Sequence, residues 1–142
     1  DYRYCAENPK GFKGYSDACW GLTASYSVKG YNAHMPSNDH GVITPTAALS
    51  SYPYTPEESS KALKHFYFNL GDSIWGKYGF YDAFSEGENW YPRRYLAIDQ
   101  CTITPMIENY RTCLLWRLFM SCPEIQDGLK KLGFTIHNAR ES

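Results

Sequence analysis

The chain contains four dipeptides that mark helix starts: Thr44-Pro45, Thr55-Pro56, Thr104-Pro105 and, more weakly, Cys122-Pro123. Proline fits the first position of a helix because an N–H at that position would have no intrahelical acceptor, and the threonine before it can cap the helix. These dipeptides therefore mark four candidate helix starts along the chain.

The second of these starts carries the strongest helix pattern in the chain. Glu58 follows Thr55 by three residues, which is the spacing of a capping box. Apolar residues then recur on one helix face, at Leu63, Phe66, Tyr67 and Leu70. With Gly71 as the C-terminal stop, the pattern predicts a helix over residues 56–70.

The segment after Thr104 predicts a second long helix, and we expect it to be buried because it is apolar over more than half of its circumference. Its main stripe consists of Ile107, Tyr110, Leu114 and Leu118. A last short helix is predicted from Pro123, with Gly133 as its stop. We expect the domain to cover residues 1–134 and the tail, 135–142, to lack regular structure.

The remaining segments show no sustained period. Residues 1–17 and 26–41 are rich in turn-forming residues, which predicts loops. Residues 18–25 are predicted as a short helix or a buried turn, and residues 74–100 as an irregular segment with a short hairpin. Long ordered loops in globular folds are more often binding elements than spacers. These loops are therefore candidate binding segments.

The charge and cysteine patterns argue against several kinds of partner. Fourteen Lys and Arg against 15 Asp and Glu give a net charge of −1, without the basic stripe that nucleic-acid binding requires. No apolar run approaches the ~20 residues of a membrane span. The five cysteines form no CxxC pair, which gives no support to a structural zinc site and leaves the disulfide state open.

Residues 75–111 combine aromatic and acidic side chains at high density. Eight aromatic residues fall within the first 21 positions, interleaved with carboxylates and amides. An aromatic ring offers an apolar face to the C–H side of a sugar, while planar polar groups can bond the sugar hydroxyls. The segment therefore indicates a carbohydrate-binding surface. The alternative is that the rings fill the core.

Carboxylates in this segment are candidates for acid–base chemistry. They are Asp82, Glu86, Glu88, Asp99 and Glu108. Glycoside hydrolysis needs one carboxyl group held neutral and a second group that attacks or activates water. Asp82 has the most apolar neighbours, so burial is expected to raise its pKa.

Each of these carboxylates also has a structural interpretation. Asp82 can be a hydrogen-bonded turn residue, and Asp99 can favour a helix N-terminus through the helix dipole. Glu108 and Arg111 are spaced as an ordinary intrahelical ion pair. Glu86 and Glu88 fit solvated loop charges.

His34 is a candidate to donate to a sugar hydroxyl, or it is a loop histidine without a ligand. With Asp39, His40 and His65 it shows no recognisable metal-ligand spacing, so no metal site is predicted. The sequence also contains neither GxSxG nor a glycine-rich phosphate loop. A serine nucleophile and a nucleotide site therefore have no support.

A series of motifs, in order along the chain, resembles a known family. The motifs are WGLTAS (20–25), GYNAH (30–34), GVITPTAALSSYPYTPEES (41–59), YGFYDAF (78–84), YLAIDQ (95–100), MIENYR (106–111) and LLWRLFMSCPEIQ (114–126). The series is similar to the C-terminal part of the bacterial glycoamylase-like domain, which includes the β-1,2-glucanases of glycoside hydrolase family 144. The likeness runs from about Tyr15 to Phe134.

This resemblance implies an all-α fold that is about the last third of an (α/α)6 toroid, with long aromatic-rich loops around a crater that binds a β-linked glucan or gluco-oligosaccharide. It implies inverting hydrolysis, with β-1,2-glucan favoured, no cofactor, and a periplasmic or secreted location. The substrate-binding residues that it implies are Trp20, His34, Tyr81, Trp90, Gln100, Glu108 and Arg111.

The resemblance also implies that the essential acids lie earlier in the domain, so that the catalytic residues are unknown, with Asp82 and Asp99 as candidates within this chain. The chain opens without Met in a loop-like stretch, and we expect a C-terminal fragment that is inactive alone. The alternative function is a non-catalytic (α/α)6 module that binds or shapes glycans.

Overall fold

The fold is given by a computed structural model that describes residues 1–135. This part of the chain contains α1 (Tyr2–Glu7), β1 (Ala24–Ser27), β2 (Gly30–Ala33), α2 (Pro45–Leu49), α3 (Pro56–Lys64), α4 (Gly71–Ile74), β3 (Trp75–Gly76), β4 (Gly79–Phe80), α5 (Ala97–Thr112), α6 (Leu114–Met120) and α7 (Pro123–Lys131). The chain divides into two compact units, Asp1–Ile107 and a second unit that begins at Glu108. Each unit is described by itself.

The loop prediction for residues 1–17 is wrong for residues 2–7, which form helix α1, whereas residues 8–17 form neither helix nor strand, as predicted. A shared acceptor fixes this helix: the Tyr4 hydroxyl donates to Asp39 Oδ2 at 2.8 Å, and the Tyr15 hydroxyl donates to Asp39 Oδ1 at 2.6 Å. Burial and the hydrogen bond to Asp39 raise the pKa of Tyr4 to about 12. Helix α1 thus depends on contacts distant in sequence, which a local pattern does not reveal.

The loop prediction for residues 26–41 is also wrong in part, because β1 and β2 form an antiparallel hairpin with Ala24 paired to Ala33. The turn is closed locally, since Ser27 Oγ donates to Gly30 O at 2.9 Å. Gly30 has φ +105, a conformation that a side chain would strain. Strands of four residues are too short to show a clear alternation.

Helix starts are confirmed at Pro45, Pro56 and Pro123. The capping box is wrong, since Thr55 makes no side-chain cap bond and its Oγ1 instead donates to Ser51 O at 3.2 Å. Beyond Lys64 the helix continues as a π-helical segment, His65–Asn69. Gly71 is not the predicted C-terminal stop, because it is the first residue of helix α4.

The core of the first unit is centred on Phe66. Its ring makes edge contacts with Phe80 and Phe84, at centroid distances of 6.0 and 5.9 Å. Leu63 and Leu70 pack against this core as the predicted stripe requires, whereas Tyr67 is exposed. The four-residue stripe therefore predicted the buried face correctly except at Tyr67.

The irregular segment after α4 contains the predicted short hairpin, in which Trp75 pairs with Phe80. Two isolated bridges extend this arrangement, Ile43 with Phe84 and Ser85 with Trp90. Residues 18–23 form a largely buried segment that contains no helix, and β1 begins at Ala24, so the short-helix alternative is wrong. The Ile43–Phe84 bridge joins the irregular segment after α4 to the residue that precedes the N-cap of α2.

Helix α5 begins at Ala97, which corrects the predicted start at Thr104-Pro105. Asp99 N and Gln100 N both donate to Leu96 O at 3.0 Å, so Asp99 and Gln100 lie in the first turn and not ahead of the helix. Pro105 lies inside α5, where it removes one backbone donor. The Thr-Pro signature was therefore misleading at this position.

The second unit contains a helix break that the apolar stripe did not predict. Cys113 adopts a left-handed conformation with φ 54, which separates α5 from α6. Asn109 is 1% exposed, and its Oδ1 accepts a hydrogen bond from Trp116 N at 3.1 Å. The amide side chain thus joins the two helices across the break.

The predicted burial of this helical segment is wrong for the described part of the chain. Among the described residues, Leu118 is 61% exposed and Phe119 is 57% exposed. Gly133 is confirmed as the stop of α7, with φ +81 and its N–H donating to Lys130 O at 3.0 Å. The predicted tail lies outside the described residues except for Thr135.

Among residues 1–135, no helix is both long enough and apolar enough to cross a membrane.

Candidate functional site

Asp82 is the most deeply buried carboxylate of the aromatic segment, with 1% of its surface exposed. Its backbone N–H donates to Arg94 O at 2.8 Å. Its side-chain Oδ2 accepts a hydrogen bond from Tyr26 N, in strand β1, at 3.1 Å. The loop after β4 and the first hairpin therefore fix this carboxylate together.

Asp99 reaches the same point from the first turn of α5, where its side chain lies beside the Asp82 carboxylate. Burial and the adjacent Asp82 carboxyl raise the pKa of Asp99 to about 7. Asp82 Oδ1 and Asp99 Oδ2 are both buried without a hydrogen-bond partner among the described residues. Because two adjoining carboxylates repel when both are ionised, the Asp82 carboxylate favours the protonated form of Asp99.

A layer of hydroxyl groups holds the backbone around the pair. Thr46 Oγ1 donates to Asp99 O, and it also contacts Thr102 Oγ1 at 2.9 Å. Nearby, Thr44 Oγ1 donates to Ser25 Oγ at 2.7 Å, with both residues fully buried. These bonds connect α2 to α5 and to β1. They restrict the position of both carboxylates.

His34 is buried at the end of the first hairpin, and its ring makes an edge contact with His40 at 5.6 Å. Burial, and to a smaller extent His40, lowers the pKa of His34, so the ring is neutral at pH 7. The Ser25 backbone lies near the ring, but neither ring nitrogen completes a well-aligned hydrogen bond among the described residues. A neutral imidazole is therefore available as a donor or acceptor.

The aromatic candidates differ in exposure. Trp20 is 2% exposed and makes an edge contact with the Tyr2 ring at 5.4 Å, so its position is that of a core residue. Tyr81 and Trp90 are half-buried. Tyr81 lies against the Tyr95 ring at 5.1 Å. Tyr81 and Trp90 remain compatible with a stacking role, whereas Trp20 offers no free face.

Three predicted polar residues are paired within the chain. Gln100 Nε2 donates to Phe80 O, which ties α5 to β4. In the second unit, Arg111 Nη1 and Glu108 Oε2 form an ion pair at 3.2 Å with the i, i+3 spacing. The intrahelical ion pair between Glu108 and Arg111, which was the structural interpretation of their spacing, is therefore present.

Sequence reasoning missed Tyr26 and Arg94. Tyr26 supplies the N–H that bonds Asp82, and the Arg94 guanidinium lies over the Tyr26 ring at 4.5 Å. Local sequence signals do not indicate that a strand and a distant loop meet here. A separate open pocket of about 470 Å³ is lined by Tyr67, Gly71, Asp72 and Trp75, and none of these was predicted as a site residue.

The chain matches the family model named Glycoamylase, described as a putative glucoamylase, over residues 1–123. It belongs to the Glycoamylase family. The family resemblance of the ordered motifs is thereby confirmed.

Characterised and solved relatives are similar to this Glycoamylase-family chain. It is 51% identical over 132 residues to an exo β-1,2-glucooligosaccharide sophorohydrolase (non-reducing end) from Parabacteroides distasonis, covering 92% of this chain and 18% of that protein. It is 65% identical, at a TM-score of 0.89, to an endo-β-1,2-glucanase from Chitinophaga pinensis, solved with sophorotriose and glucose, covering 92% of this chain and 32% of that one.

A third relative carries a different description. The chain is 63% identical, at a TM-score of 0.92, to a putative glucoamylase from Bacteroides uniformis, covering 94% of this chain and 32% of that one. This Glycoamylase-family chain therefore spans about a fifth of the length of the sophorohydrolase and about a third of each solved structure.

Proposed function

We propose that this chain forms part of the substrate-binding crater of a β-1,2-glucan hydrolase. The observation that carries the proposal is the 65% identity and TM-score of 0.89 to the Chitinophaga pinensis endo-β-1,2-glucanase. The relative from Parabacteroides distasonis is also named for a β-1,2-linked substrate. The finer architecture, an (α/α)6 toroid, and a periplasmic or secreted location are part of the same proposal.

Asp82 and Asp99 are proposed to act as one unit rather than as the two catalytic groups of an inverting hydrolase. An inverting enzyme holds its two carboxyl groups about 6.5–9.5 Å apart, so that water fits between them and the sugar. Asp82 and Asp99 lie side by side in one buried cluster, so the pair does not provide that separation. The opposing carboxylate therefore comes from a residue outside this pair.

The raised pKa of Asp99 gives the two carboxyl groups a function in binding. With its pKa raised to about 7, Asp99 carries a proton in mildly acidic solution and can donate it in a hydrogen bond to a sugar hydroxyl. Asp82 supplies an acceptor beside this donor. His34 and Tyr81 add a neutral imidazole and an aromatic face to the proposed crater wall, and Trp90 is proposed as a second stacking face.

The substrate class is tested by incubating the intact protein with β-1,2-, β-1,3- and α-1,4-glucans and measuring the release of reducing sugar. We expect release from the β-1,2-glucan. The α-1,4-glucan is the most informative alternative substrate, because the family description names a glucoamylase. Activity on the α-1,4-glucan alone would contradict the proposal.

The role of the pair is tested with Asp82→Asn in the intact protein. Loss of a positioning group is expected to lower kcat/KM by about 10²-fold. Exposed Asp72→Asn is the control and should leave kcat/KM unchanged. A loss beyond about 10⁴-fold exceeds what one proton-transfer group ordinarily contributes and would assign Asp82 directly to the chemistry.

A further inference from the structure

Cys19, His65 and Glu86 come from three separate segments of the first unit, yet their possible ligand atoms all lie within 4.8 Å of one another. Cys19 precedes β1, His65 opens the π-helical segment and Glu86 follows the Ile43–Phe84 bridge. None of the three side chains makes a hydrogen bond or an ion pair with the described residues. The fold thus gathers three donors without using them in its own bonding.

Backbone hydrogen bonds position Cys19, and the absence of a side chain at Gly14 makes room for the Glu86 carboxyl group. Cys19 is 0% exposed, and its N–H donates to Ser16 Oγ at 3.0 Å while its carbonyl accepts from Ser16 N at 3.0 Å. The Glu86 carboxyl lies against Gly14, where a Cβ would stand 2.7 Å from Glu86 Cδ. Glycine at this position therefore gives the carboxyl its space.

The third donor lies at an irregular point of the helix. His65 is the first residue of the π-helical segment that follows α3. Single π-helical turns cost regular hydrogen bonds and are found frequently at functional sites. The His65 ring thus lies beside Cys19 and Glu86 at the point where α3 passes into the π-helical segment.

We propose that Cys19, His65 and Glu86 form a Zn²⁺ site with three protein ligands and a fourth position for water. A sulfur, an imidazole nitrogen and a carboxylate oxygen are the ligand types that zinc takes, at bond lengths of about 2.3, 2.0–2.1 and 2.0–2.2 Å. In a tetrahedron these lengths place the ligand atoms about 3.3–3.6 Å apart. Side-chain shifts of about 1 Å would bring the three atoms to that spacing.

The mixed ligand set also selects the metal. Mg²⁺ and Ca²⁺ prefer six or more oxygen ligands, whereas a thiolate and an imidazole favour zinc among the abundant cations. A bound Zn²⁺ would connect the segment before β1, the π-helical segment after α3 and the loop after β4, which would stabilise the folded state by mass action. This site contains neither Asp82 nor Asp99 and does not depend on the proposed glucan hydrolysis.

The test is a titration of the intact protein with Zn²⁺ after dialysis against a chelator. Isothermal calorimetry should show about one equivalent bound, and the melting temperature should rise with zinc concentration. Substitution by Co²⁺ should give the near-ultraviolet thiolate charge-transfer band that a cysteine ligand produces. The absence of zinc binding in this titration would overturn the proposal.

Matched substitutions locate the metal. Cys19→Ser, His65→Gln and Glu86→Gln should each weaken zinc affinity by about tenfold or more, whereas the exposed residues changed in Cys101→Ser, His40→Gln and Glu88→Gln should leave it unchanged. Cys19 is a core residue, and its substitution can prevent folding. The decisive variant is therefore Glu86→Gln, because Glu86 is only half-buried. Zinc binding to Glu86→Gln at wild-type affinity would place the metal elsewhere and refute the assignment.

Discussion

The same type of side chain has opposite roles at different positions of this chain. Asp39 is an acceptor for Tyr4, Tyr15 and the backbone N–H of Gly41. Asp99 instead meets a second carboxyl group, so that burial and the Asp82 charge raise its pKa to about 7. The apolar neighbours of Asp82 correctly marked the buried cluster, but only the folded chain shows which carboxyl group retains the proton.

The raised pKa of Asp99 predicts a specific dependence of stability on pH. The folded pKa, about 7, exceeds the ordinary value of 3.8, so the folded state binds more protons between these two pH values. The contribution of Asp99 to the free energy of unfolding is therefore full below about pH 4 and falls until about pH 7. Relative to wild type, Asp99→Asn should gain stability across this window and no further above it.

The measurement is urea denaturation of wild type and Asp99→Asn at several pH values from about 4 to 8. The difference between the two proteins isolates Asp99, since both retain His34, whose lowered pKa contributes the opposite slope below about pH 6.5. The exposed Asp72→Asn variant serves as the reference. A pH-independent difference for Asp99→Asn would show that the pKa of Asp99 is not raised in the folded protein.

At the scale of elements, close approach of side chains to the backbone decides the path of the chain between α4 and α5. The β3–β4 hairpin has only two residues in each strand. Gly76 leaves room for the hydroxyl groups of Tyr81 and Tyr95, and Tyr78 N donates to the Tyr95 hydroxyl at 3.1 Å. The glycine is therefore required for packing at this position rather than for a positive φ.

Gly76→Ala should destabilise the protein, because its Cβ would overlap the Tyr81 and Tyr95 hydroxyl groups. Overpacking of this kind costs about 1–3 kcal/mol. Gly87→Ala is the matched control, since the nearest atoms to its added Cβ lie at 4.0 Å, and it should be neutral or stabilising by about 0.4–1 kcal/mol. Equal unfolding free energies for both variants in urea denaturation would contradict the packing argument.

At the scale of the whole molecule, the exposed apolar side chains of α6 are the main unexplained feature of the described structure. Contiguous apolar surface on a soluble protein ordinarily meets a partner. The solved glucanase that this chain matches is about three times as long, since the chain covers 32% of it. We propose that, in the intact protein, other helices of an (α/α)6 toroid cover this surface of α6.

Leu118→Ala tests that proposal in the intact protein. If toroid helices cover Leu118, its truncation should lower the free energy of unfolding by about 2–5 kcal/mol. Arg117→Ala, on the same helix, is the control and should change it by less than about 0.5 kcal/mol. A change equally small for Leu118→Ala would show that this side chain remains exposed, as it is within residues 1–135.

The sequence by itself determined the family, three of four helix starts and the buried stripe at Leu63, Phe66 and Leu70. Each depends on order or spacing within a few residues. Tertiary structure alone decided the start of α5, the break at Cys113, and the meetings of Asp82 with Asp99 and of Cys19 with His65 and Glu86. These features result from contacts between segments far apart in the chain, whose geometry no local periodicity encodes.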